Sequence, residues 1–309
     1  MKIRDVFFHE IYQLTKSGED IVVVSSDIGA PSLDDYRRDF SNRFINVGIA
    51  EQNLIAVSSG LQLAGKRTIA YGLNPFPITR AFDQVRNIMA SLQIPITLTA
   101  LNAGTCSADA GYTHMPIENI AIMRTLKNIC VISPSDEIIT RKLVKEIINA
   151  PFPRYIQFDK FIEGCLYSEN DICFEKGFVT NQRSSAIAVV ANGIMAHELI
   201  KRKLPVKIID CFSLPISEDK FIEEVQECKQ IITVEDGGID GGIGSMVLEV
   251  LNRVQVNIPV RRLGLKFKEG YPDKYTNRGM IFKEEKLSIT DIEQCIMGMM
   301  GEGKDEPGI

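Results

Sequence analysis

From residue 3 to residue 158 the chain alternates short apolar runs with longer segments whose apolar residues recur at helical spacing. The runs IVVVSSD (21–27), FINV (44–47), RTIAY (67–71), PITLTAL (95–101), ICVI (129–132) and RYIQF (154–158) have the length of buried strands. Between them, AEQNLIAVSSGLQLAG (50–65), ITRAFDQVRNIMASL (78–92) and SDEIITRKLVKEIINA (135–150) have the length and spacing of helices. Strands that alternate with helices need crossover connections, so the pattern predicts a largely parallel sheet covered on both faces. DKFIEGCLYSENDICFEKGFVTNQR (159–183) breaks the periodicity with mixed charge and reads as a linker. A second series follows: AIAVVA (186–191), a helix over 194–202, VKIID (206–210), a helix near 217–227, QIITVED (230–236), a glycine loop, a helix to about 253 and PVRRLGL (259–265). Ser288 and Asp291 make a capping pair for a last helix. The expected fold is α/β in two domains, 1–160 and 184–309, each a mainly parallel sheet flanked by helices and joined by a linker over 161–183.

Composition removes several classes of function. Apolar residues make up 45% and charged residues 24%, the range of an ordinary globular protein. A net charge of −5 offers no general attraction for nucleic acid or an anionic membrane. No run approaches the roughly 20 apolar residues that span a bilayer, and the start, MKIRDVFFHEIYQLTKSGED, lacks the pattern of a secretory leader. The seven cysteines form no C-x-x-C pair and no short Cys/His ligand spacing, which predicts reduced thiols in a cytoplasmic protein and no metal site on this chain.

Glu51 is the one ionisable group in FINVGIAEQNL, at the end of a strand and the start of a helix. Open parallel sheets bind ligands at that edge. A helix dipole alone also favours a carboxylate there, by about 0.3–1 kcal/mol, so both explanations stand. An apolar surround makes a bare charge costly and calls for a partner. GTCSADAGYTHMP (104–116) is a small-residue loop after another strand and carries His114, one of three histidines. Phe76 sits between Pro75 and Pro77 just before a helix, whereas Phe82, spaced with Val85 and Met89, reads as core. EDGGIDGGIGSM (235–246) matches neither the dinucleotide nor the P-loop fingerprint and reads as a tight, closely packed turn.

Taken in order, RFINVGIAEQNLIAVSSGLQLAGK, VVSSDIGAPS, GYTHMPIENIAIMRTLKNICVISPSD and IITVEDGGIDGGIGS resemble blocks of the pyrimidine-binding and C-terminal domains of transketolase. The resemblance implies thiamine diphosphate as cofactor and transfer of a two-carbon ketol unit from a ketose to an aldose. It implies that Glu51 hydrogen-bonds N1′ of the aminopyrimidine, that Phe76 stacks on that ring and that Asp27 lies near the diphosphate end. His114 matches a substrate-contacting histidine. Arg4, Ser32 and Lys160 fall at or near positions that hold a substrate phosphate, and Asp109 lies one place from a substrate-contacting aspartate. Two positions depart from the family: Ala110 stands where that aspartate is usual, and Asn102 where a phosphate-contacting histidine is usual.

The G-D-G motif that precedes the family's metal-binding asparagine is absent from the sequence. With a start directly before the first pyrimidine-domain helix, this implies half of a split transketolase, inactive alone. A separate N-terminal-type subunit would hold the diphosphate and Mg²⁺ or Ca²⁺, in a heterotetramer acting on small sugars or sugar phosphates. The alternatives are a split 1-deoxyxylulose-5-phosphate synthase, the β subunit of a 2-oxo acid dehydrogenase, and a non-catalytic transketolase-like subunit.

Overall fold

Strands β1 (Ile21–Ser25), β2 (Phe44–Asn46), β3 (Arg67–Leu73), β4 (Thr97–Leu101), β5 (Cys130–Ile132) and β6 (Arg154–Phe158) lie parallel in one sheet of a computed structural model that describes residues 1–181, 184–268, 270–272 and 275–302. Every position of β1 and β6 is buried, which is why both are continuous runs rather than alternating ones. Short antiparallel β10 (Ser213–Leu214), from the second half of the chain, adds to the edge at β5 and gives the order β10-β5-β6-β4-β3-β1-β2. The second sheet has the order β12-β11-β8-β9-β7, formed by β7 (Val179–Thr180), β8 (Ile187–Ala191), β9 (Lys207–Asp210), β11 (Gln230–Gly238) and β12 (Val260–Leu265). Only β7 runs antiparallel there. Both sheets are therefore mainly parallel and flanked by helices, as the alternating pattern required.

Over the first sheet lie α1 (Ile3–Lys16), α2 (Asp34–Asp39), α3 (Glu51–Leu63), α4 (Phe76–Thr79), α5 (Phe82–Gln84), α6 (Asn119–Arg124) and α7 (Glu137–Asn149). The second sheet carries α8 (Gly193–Lys201), α9 (Glu218–Val225), α10 (Ile243–Arg253), α11 (Arg278–Glu284) and α12 (Ile289–Glu302). Phe7 and Phe8 of α1 reach the sheet, with ring centroids 5.2 Å from Phe158 and 4.7 Å from Tyr71. α7 is started by Asp136, whose carboxylate accepts from the Ile139 N–H at 2.8 Å. Ser288 and Asp291 are hydrogen-bonded at the start of α12, where the capping pair was expected.

The single helix expected over 78–92 is three pieces. After α4 the chain turns at Ala81 (φ −108°, ψ 20°), forms α5, and continues as a π-helix over Val85–Ser91. Val85, Met89 and Ala90 of the π-helix are buried, whereas Phe82, expected in the core, lies in α5 before it and is only half-buried. The segment 161–183 is also more than a tether. It buries Ile162, Ile172 and Phe178 and supplies β7.

The glycine-rich turn proves to be a packing device. Glu235, 2% exposed, accepts from the N–H groups of Ile243 and Gly244 at 3.0 and 3.1 Å and caps α10 from within. A Cβ on Gly242 would fall 1.8 Å from that carboxylate, so only glycine lets the turn close over it. Burial pushes the Glu235 carboxyl up to about 7, against those two hydrogen bonds.

Candidate active site

At the carboxyl ends of the first sheet's strands, three of the residues singled out above come together: Glu51, Phe76 and His114. Gly48 (φ 74°) turns the chain after β2, and α3 then begins at Glu51, whose side chain is 4% exposed. Arg80 Nη1 donates to Glu51 Oε2 at 3.1 Å, and its guanidinium lies 4.0 Å from the centroid of the Phe76 ring. The far side of this group is His114, whose ring meets Phe76 edge-to-face at 5.2 Å and 85°. Three separated segments thus bring Glu51, Phe76 and His114 into one line of contacts, and Arg80 is the link.

Two buried asparagines hold this line in register. Asn119 Nδ2 donates to Asn74 Oδ1 (2.9 Å) and to the Tyr155 hydroxyl (2.7 Å), and that hydroxyl donates to Asn74 Oδ1 (2.8 Å). Asn74 precedes the Pro75-Phe76 turn and Asn119 follows the His114 loop, so Tyr155 of β6 ties the two together. Beside them, the buried Ser26 hydroxyl at the end of β1 has no hydrogen-bond partner among the described residues. It faces Gly72, where a Cβ would stand 2.4 Å from Pro77 and 3.1 Å from Ser26 Oγ.

Asp27 is exposed, has φ 58° and pairs with Asn46: its N–H donates to Asn46 Oδ1 at 3.1 Å and Asn46 Nδ2 donates back at 2.9 Å. Gly48 N–H shares the same Asn46 oxygen at 2.9 Å, which couples Asp27 to the turn that delivers Glu51. Arg4 and Ser32 come together on Asp5: Arg4 Nε and Nη2 donate to Oδ1 at 3.0 and 2.9 Å, and Ser32 Oγ donates to Oδ1 at 3.1 Å. Lys160 reaches Ser107 Oγ at 3.2 Å and Asp109 Oδ1 at 3.5 Å. Distances tie each of these residues to its neighbours but join none of Asp27, Arg4, Ser32, Lys160 and Asp109 directly to the Glu51 line.

The C-terminal half completes this edge through Arg278, 13% exposed, which pairs with Asp159 after β6 and with Asp236 of β11 at 2.9 Å. Asp236 also accepts from Thr105 N–H (3.1 Å) and Thr105 Oγ1 (2.7 Å), so the loop that ends in His114 is fastened to the second sheet. Gly104 (φ 53°) is required at that point, because a Cβ would fall 2.3 Å from the Asp236 carbonyl. Burial pushes the Asp236 carboxyl up, with Arg278 opposing the shift. Sequence reasoning missed Arg80, Arg278, Asp236, Asn74 and Asn119. Only Arg80 left a signal: it lies four residues after Phe76, on the same helical face.

Among the described residues, no three or more His, Cys, Asp or Glu side chains gather as a metal site, and no helix is long and apolar enough to cross a membrane. A buried carboxylate, an aromatic face and an unsatisfied hydroxyl together suit a flat heteroaromatic ring bound by its edge and face.

Comparison with known proteins identifies the family of the whole chain. The family model for the transketolase pyrimidine-binding domain matches residues 1–161, and that for the transketolase C-terminal domain matches residues 180–282. An apulose-4-phosphate transketolase subunit of Phocaeicola vulgatus is 28% identical over 85% of this chain and 86% of its own. 1-Deoxy-D-xylulose-5-phosphate synthase of Caldanaerobacter subterraneus is 29% identical over 95% of this chain but only 48% of its own length. Among solved structures, a split gene transketolase in an inactive beta4 tetramer superposes with a TM-score of 0.80 and 27% identity, over 96% of this chain and 98% of that one. The chain belongs to the transketolase family, of which it carries the pyrimidine-binding and C-terminal domains.

Proposed function

We propose that this chain is the activating subunit of a split, thiamine-diphosphate-dependent transketolase that moves a two-carbon ketol unit from a ketose to an aldose. The observation that carries the reading is that the Glu51 carboxylate and the Phe76 face are spanned by one planar, hydrogen-bonding group, the Arg80 guanidinium. That is the geometry an aminopyrimidine requires, with a carboxylate at its edge and an aromatic ring at its face. The unpartnered Ser26 hydroxyl offers a further polar contact at the same strand ends.

When bound, thiamine diphosphate supplies the electron sink for breaking and making the carbon–carbon bond. The chain's own residues do the rest. Glu51, shielded from water, shares a proton with N1′ of the pyrimidine. Phe76 holds the ring plane, and its edge-to-face contact positions His114 over the substrate side. Asp27 stands toward the diphosphate end, while Arg4, Ser32, Lys160 and Asp109 meet the sugar. A separate N-terminal-type subunit holds the diphosphate and Mg²⁺ or Ca²⁺, and the two kinds of subunit form a heterotetramer in the cytoplasm. The split relatives, named as a subunit and as a split gene product, support that division.

The test is to mix this chain with the diphosphate-binding subunit, thiamine diphosphate, Mg²⁺ and ketose–aldose pairs. Exchange of a two-carbon unit is the expected product pattern. Carbon dioxide released from pyruvate, with glyceraldehyde 3-phosphate or a lipoyl group as acceptor and no ketol exchange, would replace it with one of the two decarboxylating readings.

A further inference from the structure

Tyr155 of β6 is fully buried, as are Asn74 and Asn119, so substrate reaches none of the three. The Tyr155 hydroxyl accepts from Asn119 Nδ2 at 2.7 Å and donates to Asn74 Oδ1 at 2.8 Å. The two amides also meet directly, Asn119 Nδ2 donating to Asn74 Oδ1 at 2.9 Å, and the three groups close a ring. Two residues along β6, Gln157 Oε1 lies 3.4 Å from the same hydroxyl, and Gln157 Nε2 donates to Ser133 Oγ at 2.8 Å. Burial pushes the phenol well above its ordinary range, so it stays protonated and carries no proton for the reaction.

Stability alone does not account for this ring. Asn74 Nδ2 and Asn119 Oδ1 have no hydrogen-bond partner among the described residues. An orphaned buried donor or acceptor costs stability, whereas apolar groups of the same shape fill such a place with little loss. What the ring does join is two segments of the site. Asn74 stands two residues before Phe76, and Asn119 five residues after His114.

The two segments are not held equally. Asn74 N–H donates to the Leu101 carbonyl at the end of β4 at 2.9 Å, whereas Asn119 N–H has only a long contact, 3.5 Å, with the Pro116 carbonyl. The second sheet holds the His114 segment where Gly238 N–H donates to the Ile117 carbonyl at 2.8 Å. From the first sheet, the hold on Asn119 comes through the Tyr155 hydroxyl. We propose that Tyr155 is a positioning residue for ketol transfer: its hydroxyl fixes Asn119 and thereby sets where His114 stands relative to Phe76. The proposal rests on the ketol-transfer reading, with His114 on the substrate side.

The test uses the reconstituted two-subunit enzyme as unaltered protein, Tyr155→Phe, His114→Ala and the double variant. Ketol transfer and thiamine diphosphate binding are measured on each. Tyr155→Phe removes one oxygen and keeps the ring. kcat/KM for the ketose donor should fall about tenfold or more while cofactor affinity stays within about threefold, because Asn74 keeps its own tie to β4. In the His114→Ala background the same substitution should change kcat/KM by less than about twofold, since the group it positions is gone. An equal fractional loss in both backgrounds overturns the proposal, because the hydroxyl then serves the fold and not the histidine. Unchanged kcat/KM in Tyr155→Phe, or in His114→Ala, also overturns it and leaves ketol transfer standing. Should Tyr155→Phe fail to assemble, Asn119→Ala carries the same four-way comparison. No ketol exchange by an unaltered complex that binds thiamine diphosphate overturns the ketol-transfer reading and the proposal with it.

Discussion

Arg80 donates to Glu51 at 3.1 Å while its guanidinium lies 4.0 Å from the centre of the Phe76 ring. One flat cation therefore occupies both contacts assigned above to the cofactor's pyrimidine. The pair is lopsided, with the Glu51 side chain 4% and the Arg80 side chain 49% exposed. The arginine can swing into solvent at little cost, whereas the carboxylate must keep some partner.

Arg80→Ala should consequently act in opposite directions on the free and the loaded protein. The free chain loses about 1–2 kcal/mol by urea denaturation, below the cost of breaking a fully buried pair because Arg80 is half in water. The rise in Tm that thiamine diphosphate produces in the two-subunit complex becomes larger, since no side chain has to be displaced. A smaller rise would mean that Arg80 holds the cofactor rather than its place.

Arg278→Met leaves Asp159 and Asp236 buried without their cation. A loss of about 3–5 kcal/mol in unfolding free energy is expected. Because Asp236 also fastens Thr105, protection of amides in the 103–114 loop should fall in hydrogen exchange before the rest of the sheet opens. Arg278→Lys restores charge but only part of the stability, having one donor centre in place of a fork.

A third expectation concerns pH. Asp210, fully buried at the end of β9, accepts from Ser135 Oγ and from the Tyr167 hydroxyl at 2.8 Å, while its Oδ1 has no hydrogen-bond partner among the described residues. His197 Nδ1 donates to the Ser135 carbonyl at 2.7 Å, which closes the cluster between the two sheets. Burial raises the Asp210 carboxyl from 3.8 to about 7. A raised acid keeps its proton in the folded state after the unfolded chain has released it, so its contribution is complete below about pH 4 and is lost as pH climbs through about 7. Glu235, also raised to about 7, has the same sign. Thermal melts should therefore show stability falling from pH 5 to pH 8, with a shallower fall in Asp210→Asn. Parallel curves for the two proteins would contradict the assignment.

Local pattern made most of this molecule legible, and distance in sequence hid the rest. The strand runs, the start of α3 at Glu51 and the closure of the glycine turn follow from periodicity and from what glycine permits. The break at Ala81 and the π-helix after it do not, because apolar spacing over 78–92 fits an unbroken helix equally well. Arg278 meets Asp159 across 119 residues, and Thr105 meets Asp236 across 131. Nothing in either neighbourhood names its partner. β10 pairs with β5 for the same reason of topology, from the half of the chain that otherwise builds the second sheet.

The most direct measurement is turnover of the two-subunit enzyme carrying Glu51→Gln, with assembly and thiamine diphosphate binding measured on the same sample. Glutamine keeps the shape and a hydrogen bond but cannot hold the proton at N1′. Retained assembly and cofactor binding with a loss of roughly hundredfold or more in kcat is the expected result. Turnover within about twofold of the unaltered enzyme would show that Glu51 is a helix-start residue and that the activating acid lies elsewhere.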